Sequence, residues 1–173
     1  MKLNLGCGMN KKDGYVNIDL FGNPDMKFDL EKPWPIDDDS VDEIRAIHVL
    51  EHLHNLVHVM KEMYRVSKNR TNIYIAVPCP FTEEFISDPT HVTPITPNTF
   101  FLFSKEQNQY NIKNGHSNTP LAMYNNVDFR TVKISNVLSE EQHKLNEEQK
   151  HFSIYHLNSI SEYNIQLEVL KDV

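Results

Sequence analysis

Apolar positions in this chain fall into short alternating stretches, interrupted by one longer stretch with helical spacing. In the first of them Leu3 and Leu5 share a face, which predicts a strand over residues 2–5. Residues 15–18 predict a second strand, which ends at Asp19. Further strands are predicted over residues 26–30, 41–49, 72–77, 128–138 and 164–170.

Two helices are predicted between these strands. Apolar residues recur at helical spacing from Leu50 to Tyr64, and the polar segment that begins at Ser67 ends this helix. Thr96 is a typical N-cap with Pro97 in the first helical position, so a second helix is expected there. Residues 106–120 are polar and predict a loop. The highly charged segment 139–150 predicts an exposed helix or a mobile, solvated segment.

The alternation of strands and helices decides the class of fold. It predicts a mainly parallel sheet whose faces are covered by helices. The chain shows no interdomain linker, so residues 1–173 are expected to form a single domain. In open sheets of this type, ligands bind outside the carboxyl ends of the strands. The residues that follow each predicted strand are therefore the first to inspect.

Composition excludes several classes of protein. Of the 173 residues, 39% are hydrophobic and 24% charged, as in globular domains. The net charge of −7 argues against a general nucleic-acid or membrane-surface binder, because either would need a basic face. Cys7 and Cys79 form no C-x-x-C pair, which favours a reducing, cytoplasmic location. The first residues are too polar for a signal peptide, and no apolar run is long enough for a membrane span.

A glycine turn followed by an acid is the clearest sign of chemistry. Gly6 and Gly8 directly follow the first strand, so the backbone there can turn tightly and approach a ligand closely. Asp19, at the end of the next strand, is placed to accept hydrogen bonds from two adjacent hydroxyls, such as those of a ribose. A dinucleotide-binding motif would add a third glycine and a full helical crossover, and neither follows Gly8. The alternative to a ligand site is a plain tight turn beside a solvated aspartate.

Several segments, in order, resemble one enzyme family. The chain looks like a small class I S-adenosylmethionine-dependent methyltransferase, similar to the type 11 methyltransferases. The segments that carry the resemblance are LNLGCG with GYVNIDL in residues 3–20, FDLEKPWPIDDDSVDEIRAIHVLEHL in 28–53, EMYRVSKNRTNIYIAVPCP in 62–80, and DPTHVTPITPNTF in 88–100.

This resemblance implies a fold, a reaction and a cofactor site. The fold is a three-layer Rossmann-like α/β sandwich, mostly parallel, with an antiparallel C-terminal strand. The reaction is methyl transfer from S-adenosylmethionine to an unidentified acceptor, with a small molecule or a sugar favoured. Alternatives are a non-catalytic module that binds this cofactor or, less favoured, a nucleotide-binding oxidoreductase. The residues implied to bind the cofactor are Leu5, Gly6, Cys7 and Gly8 at the methionine part, Asp19 at the ribose, Leu20, Asp29 and Leu30 at the adenine, and His48, Val49 and Leu50 at the sulfonium.

Histidines supply the candidates for acid–base chemistry. His91 lies in a loop between prolines after the fifth strand, where this fold builds its acceptor site. We predict that His91 is a general base and that Asp88 orients it; the alternative is that both bond only to loop backbone. Four further histidines lie between residues 48 and 58, but they cannot share one helix face and no H-E-x-x-H is present. We therefore expect no metal site.

Little of the chain is available to cover the glycine turn, which predicts that a second subunit or a bound substrate covers it. Only Met1 and Lys2 precede the first strand, and the connection to the second strand is short. We expect a cofactor site that is open on one side, or that is closed by a second subunit or by the substrate; a homodimer is the modest prediction. A small-molecule acceptor is expected, without nucleic acid or a membrane as partner. Trp34, between two prolines, is predicted to pack in the core rather than against the adenine.

Overall fold

Seven strands form one mixed sheet in the computed structural model, which describes residues 1–139 and 159–171. Across the sheet their order is β3-β2-β1-β4-β5-β7-β6. The pairs from β3 to β5 are parallel, whereas β7 is antiparallel to both of its neighbours. This confirms the predicted α/β class, with its mostly parallel Rossmann-like sheet and antiparallel C-terminal strands. The strands are β1 (Lys2–Leu5), β2 (Val16–Asp19), β3 (Met26–Lys27), β4 (Val41–Ile47), β5 (Ser67–Pro78), β6 (Phe129–Leu138) and β7 (Ile160–Val169).

Within residues 1–139 and 159–171, five helices and one 3₁₀ turn connect these strands. The predicted helix from Leu50 is divided in two, because Asn55 begins a new helix by accepting the N–H of His58 through Oδ1 at 3.0 Å. Pro97 stands in the first helical position after Thr96, as predicted. None of the helices described has the length and apolarity that a membrane crossing requires. The elements are the 3₁₀ turn (Leu50–His52), α1 (Leu56–Val66), α2 (Glu83–Ser87), α3 (Pro97–Phe101), α4 (Lys105–Lys113) and α5 (Leu121–Asn125).

Helix α4 contradicts the loop expected over residues 106–120. Its first turn is capped by Ser104, whose Oγ accepts the N–H of Gln107 at 3.3 Å. Its inner face carries the fully buried Asn108, whose amide donates to the carbonyls of Phe101 and Leu102. The helix is thus held by polar bonds rather than by an apolar stripe. The charged segment expected over residues 139–150 lies outside the described residues apart from Ser139.

The hydrophobic core lies against one face of the sheet. Ile44, Ile73 and Leu167 are successive cross-strand partners, so their side chains share that face, and all are fully buried. Met60 of α1 and Phe100 of α3 belong to the same cluster. Trp34 is 4% exposed and also packs into this cluster, which confirms the predicted core position. Its Nε1–H donates to the carbonyl of Leu30 at 3.0 Å.

The opposite face of the sheet is polar. Arg45, Tyr74 and Gln166 are cross-strand partners on that face and are half-buried. None of these three side chains belongs to the described hydrophobic core. On the way from β1 to β2 the chain forms no helix.

A polar network replaces that helix. The buried Asn4 donates Nδ2–H to Oδ1 of the buried Asn17 at 2.9 Å, and the same oxygen accepts the N–H of Lys12 at 2.7 Å. The N–H and Nδ2–H of Asn17 both donate to Oδ2 of Asp25, at 2.9 and 2.7 Å. Lys11 pairs with the other oxygen of Asp25 at 2.5 Å. Side chains thus satisfy backbone groups that a helix would have satisfied by itself.

Acid should weaken this network. The hydrogen bonds from Lys11 and Asn17 lower the pKa of Asp25 from 3.8 to about 2. Because the folded pKa lies below the unfolded one, the contribution to stability is complete above the unfolded pKa and is lost as pH falls through the folded one. We expect Asp25→Asn to unfold at a lower urea concentration than wild type at about pH 7, and the difference to shrink toward about pH 2. A difference that does not change with pH would contradict this.

Candidate active site

The loop that leaves β1 turns at two glycines with left-handed backbone. The φ angles are +60° at Gly6 and +49° at Gly8, a region that favours glycine. A Cβ on Gly6 would lie 2.4 Å from Cγ2 of Val49, so this turn packs directly against the end of β4. A Cβ on Gly8 would meet nothing within 4 Å. The turn therefore presents bare, open backbone at the carboxyl edge of the sheet.

Asp19 is tied to this turn. Its Oδ2 accepts the N–H of Gly8 at 2.8 Å, and its Oδ1 accepts the N–H of Phe21 at 2.9 Å. A carboxylate offers about four lone-pair sites, so one bond at each oxygen leaves both able to accept another. Two adjacent hydroxyls require such a pair of acceptors. The half-exposed carboxylate and the open backbone of Gly8 thus fit a ribose-bearing ligand of the kind predicted.

The other residues predicted at the cofactor divide into two groups. Leu20 is 44% exposed at the end of β2. Asp29 is half-exposed, and its Oδ1 accepts the N–H of Glu31 at 2.9 Å. Apart from the exposed His48, the remaining side chains are buried, so these residues can reach a ligand chiefly through their backbone. These are Leu5, Cys7, Leu30, Val49 and Leu50.

Cys7 sits between the two glycines, and its position argues against a reactive thiolate. Burial is the main cause that raises the pKa of its thiol, and the nearby carboxylate of Asp19 adds to the effect. Nucleophilic cysteines have lowered pKa values instead. Cys7 stabilises the turn through its backbone. Its N–H donates to the carbonyl of Ile18 at 3.0 Å and so joins the turn to β2.

His48, at the end of β4, is held between two carboxylates. Its Nε2 lies 2.7 Å from Oε2 of Glu162, and its Nδ1 lies 3.5 Å from Oε1 of Glu51. Glu51 is the main cause that raises the pKa of His48, burial opposes the shift, and Glu162 adds to it. The φ angle of His48 is +52°, which is uncommon for a residue other than glycine and typical of functional sites. Sequence reasoning missed Glu162 as a partner of His48, because it lies 114 residues away on β7.

The loop after α2 carries His91 and Asp88, the predicted base and its orienting acid. Asp88 Oδ1 accepts the N–H and the hydroxyl of Thr90, at 2.8 and 2.6 Å, and these bonds lower its pKa. The Nδ1 of His91 lies 3.1 Å from the carbonyl of Phe85, whereas its Nε2 is 3.7 Å from Asp88 Oδ2. A carbonyl only accepts, so Nδ1 carries the proton and Nε2 the lone pair. The Phe85 carbonyl thus orients this ring more directly than Asp88 does.

This loop docks onto the 3₁₀ turn after β4. The carbonyl of Glu51 accepts the N–H groups of Val92 and Thr93, at 2.9 and 3.0 Å. As a result the rings of His52 and His91 lie 4.8 Å apart between centroids. In the sequence, His91 lies far from residues 48–58. Only the docking of the loop brings His91 close to His52.

One family model matches the first part of the chain. Residues 3–75, from β1 into β5, match the family model described as a methyltransferase domain. No curated protein matches the chain.

Solved structures share the fold over nearly the whole chain. A SAM-dependent methyltransferase from Archaeoglobus fulgidus is 22% identical, with a TM-score of 0.66 over 96% of this chain and 85% of its own. The 1,6-didemethyltoxoflavin-N1-methyltransferase from Burkholderia thailandensis, described with bound S-adenosylhomocysteine, is 10% identical, with a TM-score of 0.57 over 98% and 71%. A putative methyltransferase from Haloferax volcanii, in complex with the Trm112 methyltransferase activator, is 13% identical, with a TM-score of 0.54 over 99% and 82%.

The family-model match overlaps the candidate site. It covers the glycine turn and Asp19. Residues 3–75 match the methyltransferase-domain model, and the solved structures that share the fold over nearly the whole chain include S-adenosylmethionine-dependent methyltransferases.

Proposed function

We propose that the chain methylates a small molecule, with sugars among the first acceptors to test. One observation carries this proposal, namely the open turn at Gly8 joined to Asp19, whose two carboxylate oxygens each keep capacity for a further hydrogen bond. The net charge of −7 favours a small acceptor over a nucleic acid. The buried, unpaired Cys7 and Cys79 favour action in the reducing cytoplasm.

In this proposal the chain holds the cofactor along the carboxyl edge of the sheet. S-adenosylmethionine, when bound, supplies a methyl group already activated by its cationic sulfur. Asp19 accepts the ribose hydroxyls, and the backbone of Gly6 to Gly8 lies along the methionine part. The exposed Leu20 and the half-exposed Asp29 border the adenine. The end of β4, from His48 to Leu50, lies nearest the sulfonium.

The acceptor side of the proposed site is the loop that carries His91. Its Nε2 has a lone pair, since Nδ1 is directed at the Phe85 carbonyl. Nε2 of His91 can therefore accept the acceptor's proton directly, or it can bind a metal ion that makes the acceptor more acidic. Ile86 and Val92, which are 72% and 39% exposed, are available to contact an apolar part of the acceptor.

A second chain is a further part of the proposal. The Haloferax volcanii protein is in complex with an activator protein, which supports testing whether this chain also works with a partner. A second copy of the chain is the simplest partner. Light scattering at high protein concentration distinguishes a homodimer from a monomer.

Calorimetric titration with S-adenosylhomocysteine tests the cofactor site. Asp19→Ala removes charged acceptors that together are worth about 2–3 kcal/mol, so the dissociation constant should rise about 30- to 150-fold. Asp13→Ala is the matched control, because Asp13 is exposed on the same connection and should leave the affinity unchanged. Absence of binding to wild type, or equal affinity for NAD, would reject the cofactor assignment.

Turnover separates the enzyme from a module that only binds the cofactor. Acceptor-dependent formation of S-adenosylhomocysteine across a panel of sugars and small hydroxyl or amine compounds is the expected result. Tight cofactor binding without turnover on any acceptor would favour the binding module. Urea unfolding of each variant shows whether a lost signal reflects a lost site or a lost fold.

A further inference from the structure

Glu51 is a buried carboxylate that lacks hydrogen-bond partners. Its side chain is 1% exposed, and neither carboxylate oxygen is hydrogen-bonded within the described residues. Nδ1 of His48 lies 3.5 Å from Oε1, whereas Nε2 of His48 lies closer to Glu162, at 2.7 Å. Burying a carboxylate without partners is costly, because the charge loses its hydration without replacement. A bound cation would supply the partner that this carboxylate lacks.

Two imidazoles lie beside this carboxylate. One ligand atom each from Glu51, His52 and His91 all lie within 4.8 Å of one another. Two ligands of a tetrahedral ion with bonds of about 2.1 Å stand about 3.4 Å apart. The difference is small enough for side-chain rotations to close.

The Nδ1 atoms of both histidines contact backbone carbonyls. His52 Nδ1 lies 3.2 Å from the carbonyl of Thr90 and 3.0 Å from its hydroxyl, which itself donates to Asp88, and His91 Nδ1 lies 3.1 Å from the carbonyl of Phe85. Each carbonyl fixes the proton on Nδ1 and leaves the lone pair on Nε2. Histidines that bind metal ions almost always donate their other ring N–H in this way.

We propose that Glu51, His52 and His91 bind a divalent transition-metal ion. Two imidazoles and one carboxylate suit zinc, manganese, iron or cobalt, whereas magnesium and calcium prefer oxygen ligands alone. The backbone bonds from Val92 and Thr93 to the Glu51 carbonyl hold the two halves of the site together in advance. This assignment replaces the expectation of no metal, which considered only the histidines of residues 48–58.

The ion has a use at this position, a point that rests on the proposed function. Three protein ligands leave at least one coordination position open. An acceptor hydroxyl in that position binds the ion through its oxygen and releases its proton to water more readily than free hydroxyl does. The site thus selects acceptors with an oxygen that can bind a metal ion.

Cobalt supplies a direct readout that does not depend on activity. We expect the wild-type chain to bind one Co²⁺ ion, with a visible ligand-field absorption band, and to bind Zn²⁺ in competition. Glu51→Gln, His52→Ala and His91→Ala should each weaken Co²⁺ binding by about 100-fold or more. His54→Ala is the matched control, since His54 is exposed in the same segment and lies outside the cluster.

Binding of S-adenosylhomocysteine to the same variants keeps the two proposals apart. Retained affinity shows that a variant is folded, so loss of Co²⁺ then reports the ligand itself. A wild type that binds Co²⁺ but not S-adenosylhomocysteine would contradict the proposed function and support the metal site. A wild type that binds neither Co²⁺ nor Zn²⁺, or three variants that bind them as wild type does, would overturn the metal site. If a variant does not fold, the melting temperature of wild type with and without Zn²⁺ tests the site instead. A melting temperature that Zn²⁺ does not raise counts against the metal site.

Discussion

A Gly6→Ala variant is expected to lose about 3 kcal/mol of its free energy of unfolding, together with measurable affinity for S-adenosylhomocysteine. Left-handed backbone costs a residue with a Cβ about 1 kcal/mol, and forcing extra atoms into a packed site adds about 1–3 kcal/mol. At Gly6 both penalties apply, because φ is +60° and the new Cβ would stand 2.4 Å from Cγ2 of Val49. Relief requires the glycine turn to move off the end of β4, which displaces the proposed cofactor site. Urea unfolding and calorimetry measure the two effects.

Gly14→Ala is the matched control for that prediction. Gly14 has a φ of +79°, but a Cβ there would meet nothing within 4 Å. It should therefore lose only the backbone penalty of about 1 kcal/mol and keep its cofactor affinity. A Gly6→Ala and Val49→Ala double variant should recover part of the lost stability. Equal losses for Gly6→Ala and Gly14→Ala would show that the contact with Val49 is unimportant.

A Glu62→Ala variant is expected to lose about 2–4 kcal/mol of stability. Glu62 is buried on α1, where its Oε2 accepts the backbone N–H of Trp34 at 2.7 Å and an Arg65 N–H at 2.8 Å, and its Oε1 accepts another from Arg65 at 2.9 Å. Removing one partner of such a pair typically costs 3–5 kcal/mol. The side chain of Arg65 is 32% exposed, so solvent screening moves the expectation toward the lower end. Urea denaturation measures the loss.

Two further substitutions show which bond matters. Glu62→Gln keeps an acceptor for the Trp34 N–H but removes the charge, so its loss should be intermediate. Glu106→Ala, at an exposed acid in the first turn of α4, should lose less than about 1 kcal/mol. Because Trp34 also bonds to the Leu30 carbonyl, Glu62→Ala should loosen the segment proposed to border the adenine. A Glu62→Ala variant as stable as Glu106→Ala would contradict this account.

Local features of this chain could be predicted from its sequence. Leu3 and Leu5 alternate in a strand, glycines follow directly, and Asp19 ends the next strand, so the pattern and the observed turn coincide. The Thr96–Pro97 start of α3 is equally local. In these places the hydrogen bonds that decide the structure join residues close together in the chain or in adjacent strands.

Other features depend on tertiary contacts that no local pattern contains. Helix α4 has no apolar stripe, and its buried Asn108 finds partners only because α5 and the end of α3 lie beside it. The cluster of Glu51, His52 and His91 exists only because two backbone N–H groups dock a distant loop onto the 3₁₀ turn. Residues 48–58 contain Glu51 and His52, so an inspection of that segment alone misses His91.

The place of β7 between β5 and β6 sets a condition on biosynthesis. Strand β6 pairs only with β7 in the described sheet, although it precedes β7 in the chain. It therefore emerges from the ribosome without a partner, and β5 keeps an open edge until residues 160–169 have also been translated. Both edges can template pairing with another chain during that interval. Translation that stalls before β7 would thus release a nascent chain prone to aggregation, with Val132, Ile134 and Val137 on its unpaired strand.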